Sequence, residues 1–209
     1  MSSEVKTKEK IDMDPTYIIK LTVTLFITCV IVAAALGAVD NVTRGPIAAA
    51  NKAATDAALS SVFTDASAPE FPELEVTDAV SSAAAAAGAT VENLYEATDG
   101  GQTIGHAVKI VASGSQGNIE MVVGVDADGA VTGVSIVSNS ETSGIGSKVM
   151  NNDPLPSGTG VLDQFIGKSA ADGTLTIGSN VDAISGATVS SRGVTTGVNG
   201  ALAAVGAIG

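Results

Sequence analysis

An α+β domain with a twisted antiparallel sheet flanked by helices, held on a single membrane anchor, is what this 209-residue chain predicts. Three observations carry that reading. A charge-free apolar run, LTVTLFITCVIVAAALGAV, occupies residues 21–39. Two stretches rich in β-branched residues fold back at glycine turns between residues 94 and 137. After Thr188, apolar residues recur at helical spacing to the end of the chain.

The apolar run is 19 residues long, enough as a helix for roughly 28 Å, the thickness of a bilayer's hydrocarbon core. Its threonines Thr22, Thr24 and Thr28 can bond back to the preceding turn and so do not break it. A cleaved signal peptide, the rival reading, needs a shorter apolar region of about 7–15 residues, although Ala35-Leu36-Gly37-Ala38 can pass as its cleavage site. Lys6, Lys8, Lys10 and Lys20 precede the run, while only Arg44 and Lys52 flank its far side. That asymmetry predicts a single-pass protein of the cell membrane with a cytoplasmic N-terminus and an extracytoplasmic C-terminal domain. Cys29, the one cysteine, lies inside the run and reads as a small buried apolar residue; it can build neither a disulfide within the chain nor an iron–sulfur site.

Pro46, suited to the first position of a helix, opens an alanine-rich stretch that predicts a juxtamembrane helix. Pro69 and Pro72 mark residues 64–75 as a loop, and residues 81–89 read as a short helix or spacer. Residues 94–98 and 104–112 form a hairpin around Asp99-Gly100-Gly101. Residues 119–125 and 130–137 form a second around Asp126-Ala127-Asp128-Gly129, a turn that lacks the closing glutamate of a calcium loop. A Gly-, Ser- and Asn-rich segment follows, with a short helix expected over 160–165. Val194, Val198, Leu202, Val205 and Ile208 define the last helix. Its glycines, Gly193, Gly197, Gly200 and Gly206, each lower intrinsic helix stability by up to ~1 kcal/mol, so packing must hold it. The expected divisions are a cytoplasmic tail at 1–17, a membrane helix at 18–39, a juxtamembrane helix and linker at 40–92, and the folded domain at 93–209.

The formal charge is −12, and the imbalance lies wholly beyond Lys20, where 18 acids face 6 bases. Such a surface repels phosphate backbones, so nucleic acid is not an expected partner. With His106 as the lone histidine, a multi-histidine metal site is excluded, and no nucleophile elbow surrounds any serine. Aromatics make up 3% of the chain, so the core must be built from Ala and Val, leaving room for a large ring-bearing group.

The most informative segment is Asp182-Ala-Ile-Ser185-Gly186-Ala187-Thr188, continuing Val-Ser-Ser-Arg192-Gly-Val194. Thr188 stands behind three small residues at the mouth of the last helix. Ser185, Gly186 and Ala187 impose little bulk, so the loop can enter another enzyme's active site. Gly186 permits backbone angles closed to other residues. The free N–H groups of a helix start favour an anion beside Thr188. Val181 and Ile184 can anchor the loop to the core. The structural alternative is a plain turn with a hydroxyl N-cap.

This segment resembles the site at which flavin mononucleotide (FMN) is joined through its phosphate to a threonine in FMN-binding subunits of bacterial respiratory complexes. Two further features extend the likeness beyond the single N-terminal span: the Arg44-Gly45-Pro46-Ile47 to Asn51 entry and the SNSETSGIGSK run at 138–148. Together they make the chain resemble the G subunit of the Rnf complexes, ion-translocating ferredoxin:NAD oxidoreductases. It is also similar to the C subunit of the sodium-translocating NADH:quinone reductases, which usually carries extra length. The likeness covers nearly the whole chain and is strongest from Val122 to Val194. The family typically has Glu-Thr-Pro-Gly-Leu-Gly where this chain has Glu141-Thr142-Ser143-Gly144-Ile145-Gly146. The resemblance implies covalent FMN on Thr188, flavin or ribityl contacts from Glu141 and Thr142, and close backbone approach at Gly144 and Gly146. Lys148 and Arg192 are candidates to neutralise the phosphate. It further implies a one-electron relay with no catalytic residue of its own, other membrane and peripheral Rnf subunits as partners, and a flavin transferase for maturation. A reading of a different class is an anchored structural or binding protein, and it predicts a colourless product.

Overall fold

The computed structural model describes residues 15–208; the lysines at 6, 8 and 10 and most of the expected tail at 1–17 lie outside them. The chain divides between Ala50 and Asn51 into two compact units. The first consists, among the described residues, of the apolar part of helix α1, Pro15–Ser61. Its mean hydropathy reaches 2.4 over the best 18-residue window, long and apolar enough to cross a membrane. Thr22, Thr24 and Thr28 donate to the carbonyls four residues back, at 2.8 Å each, as a helix in an apolar medium requires. Cys29 is exposed on this helix rather than packed in a core.

Pro46 does not start a new helix. It lies inside α1, which runs through it unbroken. Proline forfeits one backbone bond at a penalty of about 3 kcal/mol, and the alanine-rich stretch after it carries the helix on.

The second unit is a sheet covered on both faces. Strands β1 (Pro69–Glu70), β2 (Glu73–Leu74), β3 (Ala89–Asp99), β4 (Gln102–Ser113), β5 (Asn118–Asp126) and β6 (Val131–Asn139) form one antiparallel sheet in the order β1-β3-β4-β5-β6, with β2 also on β3. The two expected hairpins are present with longer strands. Gly100 and Gly101, at φ 58° and 81°, supply the positive angles of the first turn. In the second, Asp126 Oδ1 accepts from the N–H groups of Asp128 and Ala130, so that carboxylate closes a turn. The proline-bearing 64–75 segment contributes β1 and β2 on the sheet edge, where proline is tolerated.

Helix α2 (Asp78–Ala86) is capped by Thr77, whose side chain accepts from Val80 N–H, and stopped by Gly88 at φ 88°. A single helical turn, α3 (Ser147–Met150), follows the sheet. With the C-terminal helix α4 (Thr188–Gly206), α2 covers one face of the sheet. Val80, Ala84, Leu94, Val108, Ile110, Met121, Val123, Val194, Val198 and Ala201 fill that core. The other face is lined by Ala97, Ala107 and Val122 and covered by Ala58, Leu59, Val62 and Phe63 at the end of α1 and just after it. The period of two shows in β5, where Met121 and Val123 face one core and Val122 the other.

The boundary drawn from sequence at 92/93 therefore moves to 50/51. Residues 51–92 supply one of the two covering layers, an edge of the sheet and a helix, so they are part of the domain and not a linker. The expected 160–165 helix is a single 3-10 turn, Asp163–Phe165, with Phe165 buried.

The α4 stripe packs as its spacing predicts: Val194, Val198 and Leu202 are buried, and Val205 and Ile208 partly so. The glycines explain how. A Cβ at Gly193 would lie 2.6 Å from the Ser113 carbonyl oxygen, at Gly197 2.7 Å from the Met121 sulfur, and at Gly200 2.7 Å from Ala89 Cβ. Their lack of side chains lets the helix backbone lie directly on β3, β4 and β5, which offsets the poor helix propensity.

Candidate functional site

The first turn of α4 projects from this packed layer. Thr188 is its first residue, exposed, with no hydrogen bond to its hydroxyl among the described residues. The residue in the N-cap place is Ala187, which has no side-chain oxygen to cap with. Thr188 is therefore not the N-cap of the structural alternative. The N–H groups of Thr188, Val189 and Ser190 have no acceptor among the described residues; the first to find one is that of Ser191, on Ala187 O at 2.9 Å. Three free N–H groups at a helix start attract an anion, an effect of about 0.3–1 kcal/mol at an exposed site.

Ahead of Thr188 the chain turns sharply. Ala187 N–H donates to Ile184 O at 2.9 Å, and Gly186 sits at the third position of that turn with φ 83°. A left-handed angle at this position requires glycine. Ala187 and Val181 are buried and Ile184 is partly buried, so the loop is pinned at both ends, as its apolar residues predict. Ser185 is exposed at the tip.

The Glu141–Gly146 loop lies across from this turn. Ser115, Glu141, Thr142, Ile145, Gly146, Gly186, Ala187, Thr188, Val189 and Ser190 line one cleft of about 160 Å³. Six of the eight residues singled out from sequence thus meet at one place. Ser185 and Gly144 stand outside the lining. Gly144, at φ 81° with open space around it, serves a second turn, closed by Ile145 N–H on Thr142 O at 3.3 Å. Its role is conformational, whereas the expectation was close approach. Gly146 is crowded by the protein itself: a Cβ there would fall 2.5 Å from Glu141 Oε2.

Glu141 is bonded within the protein. Oε1 accepts from the N–H groups of Ser115 (2.7 Å) and Gln116 (3.2 Å), and Oε2 from the Ser190 hydroxyl (2.5 Å). Both oxygens are engaged by protein donors, so the carboxylate ties three segments together. Thr142, by contrast, is exposed on the rim. Lys148 and Arg192 are exposed, and neither is in an ion pair among the described residues.

Sequence reasoning missed three residues here. Ile145 and Val189, 52% and 50% exposed, are two of the three large apolar side chains left open among the described residues beyond α1, and both line the cleft. A valine directly after Thr188, outside the α4 stripe that begins at Val194, is the signal that was available. Ser190, 2% exposed and bonded to Glu141, is the third; nothing local marks it, since its partner is 49 residues away.

The described residues fit a phosphate-linked flavin: a free hydroxyl, free helix N–H groups for an anion, and an apolar pair for a ring edge or face. Residues 114–203 match the family model of the FMN-binding domain, a span that starts at the turn bonded to Glu141 and contains both loops. The chain is similar to the G subunit of the Na(+)-translocating ferredoxin:NAD(+) oxidoreductase complex of Acetobacterium woodii, with 34% identity over 93% of this chain and 95% of that protein. It is similar to the G subunit of the ion-translocating oxidoreductase complex of Aliivibrio fischeri (strain ES114), 36% identical over 52% of this chain and 53% of the relative. The G subunit of the proton-translocating ferredoxin:NAD(+) oxidoreductase complex of Clostridium ljungdahlii is 35% identical over 52% and 57%. Among solved structures, Shewanella oneidensis NqrC matches 51% of this chain and 53% of its own, at 25% identity and a TM-score of 0.42. By the near full-length match and the FMN-binding domain within it, this chain belongs to the G-subunit family of ion-translocating ferredoxin:NAD oxidoreductases, the Rnf complexes.

Proposed function

We propose that this chain is an electron-transfer subunit of a membrane-bound, ion-translocating ferredoxin:NAD oxidoreductase, carrying FMN joined through its phosphate to Thr188. The observation that carries the proposal is the state of the Thr188 hydroxyl, exposed, unpartnered, and set at the mouth of a cleft inside the FMN-binding domain. In the attachment, Thr188 Oγ1 forms a bond to the FMN phosphorus of a flavin dinucleotide. The phosphoanhydride bond breaks, its electron pair leaves with the nucleoside monophosphate, and the threonine proton goes to a base of the flavin transferase.

Bound FMN supplies one-electron redox chemistry. The chain's own residues would hold it: the free first-turn N–H groups of α4 would suit a phosphate, Ile145 and Val189 would offer apolar contact, and Thr142 stands within the same cleft. Lys148 and Arg192, exposed and outside the cleft lining, are the basic side chains nearest in sequence to its two loops and would help neutralise the phosphate. Linkage through the phosphate leaves the ring free to exchange electrons with neighbouring subunits of the complex. The apolar part of α1 is the membrane anchor, with the N-terminus cytoplasmic and the FMN-binding domain outside. Anchoring raises the effective concentration of the flavin beside membrane partners.

The test is intact mass after coexpression with a flavin transferase, followed by peptide mapping. Wild type should gain one FMN less one water, on the peptide containing Thr188, and Thr188→Ala should gain nothing. Attachment that persists in Thr188→Ala, on Ser185 for instance, refutes the assignment.

A further inference from the structure

Four hydroxyls lie within seven residues, at Ser185, Thr188, Ser190 and Ser191. Ser191 bonds locally, donating to Ala187 O at 3.1 Å and accepting from Ile184 N–H at 3.4 Å. Ser190 alone of the four reaches beyond its own segment, and it does so to Glu141. That carboxylate runs between two glycine backbones. A Cβ at Gly114 would overlap Oε1, and one at Gly146 would lie 2.8 Å from Glu141 Cβ and 3.0 Å from Ser190 Oγ. Three segments far apart in sequence, the 114–117 turn, the 141–146 loop and the first turn of α4, therefore meet on one side chain.

We propose that Glu141 is a positioning residue that decides which hydroxyl is offered for flavin attachment: through Ser190 it fixes the first turn of α4 so that Ser190 stays inward and Thr188 outward. This rests on the reading of Thr188 as the acceptor. The need for such a device follows from the start of α4. Its N-cap place has no side-chain bond, three of its N–H groups have no acceptor among the described residues, and Thr188 and Val189 face solvent. Buried Ala187 and the Ser191–Ile184 bond hold this turn locally, and Glu141 is its hydrogen-bonded tie to segments distant in sequence; a turn with unmade bonds frays more readily when such a tie is lost. The Ser190–Glu141 bond is short and charge-assisted, the strong kind of hydrogen bond, and it lies two residues from the acceptor. Without it, the transferase must order the turn itself before Thr188 can react, and the transfer slows.

The experiment uses the full chain in detergent, a purified flavin transferase and a flavin dinucleotide. The initial rate is read by intact mass and the position by peptide mapping, at a temperature where circular dichroism shows every variant folded. Ser190→Ala and Glu141→Ala should each attach FMN about tenfold more slowly, the scale of one lost charge-assisted bond. The double variant should be no slower than the slower single, because both remove the same link. Glu141→Gln should recover most of the rate, since its amide oxygen and nitrogen can replace both arms of the link without charge. Should Glu141→Ala fail to fold, Ser190→Ala alone decides. Attachment by Ser190→Ala at the wild-type rate, or additive losses in the double variant, overturns the proposal even if wild type carries FMN on Thr188. Failure of wild type to accept FMN on Thr188 overturns instead the reading beneath it. A lowered melting temperature with an unchanged rate below it would show a role confined to stability and would equally overturn the proposal.

Discussion

The body of α4 and its first turn are one helix in two environments. In the body, Gly193, Gly197 and Gly200 press the backbone onto the sheet, and Val194, Val198 and Ala201 are buried. In the first turn, Thr188 and Val189 face solvent, and only Ser190 is tied to another element. The body is held by packing and the turn by a few polar bonds. The difference shows how a rigid scaffold presents a reactive group. The anchor is deep in the core, and the hydroxyl stands on the last turn to leave it, where a foreign enzyme can reach.

Substitutions should separate the two regions. Thr188→Ala should abolish flavin attachment while moving the unfolding midpoint within error, because its hydroxyl bonds nothing among the described residues; a midpoint shift worth more than about 0.5 kcal/mol would contradict the isolation of that side chain. Gly193→Ala should do the reverse. Its Cβ meets the Ser113 backbone oxygen and Ile119, neither a freely movable chain end, so destabilisation of about 1–3 kcal/mol is expected in denaturant unfolding, with Thr188 still modified once folded. Gly186→Ala meets no atom but forces a left-handed angle on alanine, at roughly 1–2 kcal/mol, and should slow attachment because the turn before Thr188 relaxes. Gly197→Ala should be the mildest. Its new methyl meets chiefly the flexible end of Met121, and the gain in helix propensity of up to ~1 kcal/mol offsets the displacement, so unfolding should change by less than about 1 kcal/mol.

Much of this was legible residue by residue. The apolar run at 21–39, the hairpins with their Gly and Asp turns, the α4 stripe and the Ser185–Thr188 segment all announce themselves through local pattern. Turn chemistry, side-chain period and the absence of charge act over a few neighbours. Pro46 carries a local signal for a helix start, yet the helix already runs into it from the apolar segment and continues through the alanine-rich stretch beyond. Residues 51–92 read as a helix and linker because their apolar residues are mostly alanine and are interrupted at Pro69 and Pro72, and their burial depends on a sheet built later in the chain.

Within the site, the line between the two kinds of information runs through neighbouring residues. That residue 188 is a threonine behind Ser-Gly-Ala, at a helix start, is written locally. That its hydroxyl is free while the Ser190 hydroxyl is buried on Glu141 was decided by the fold. Exposure and pairing depend on which distant segments arrive, and Glu141 arrives from 49 residues away through a gap that only Gly114 and Gly146 leave open.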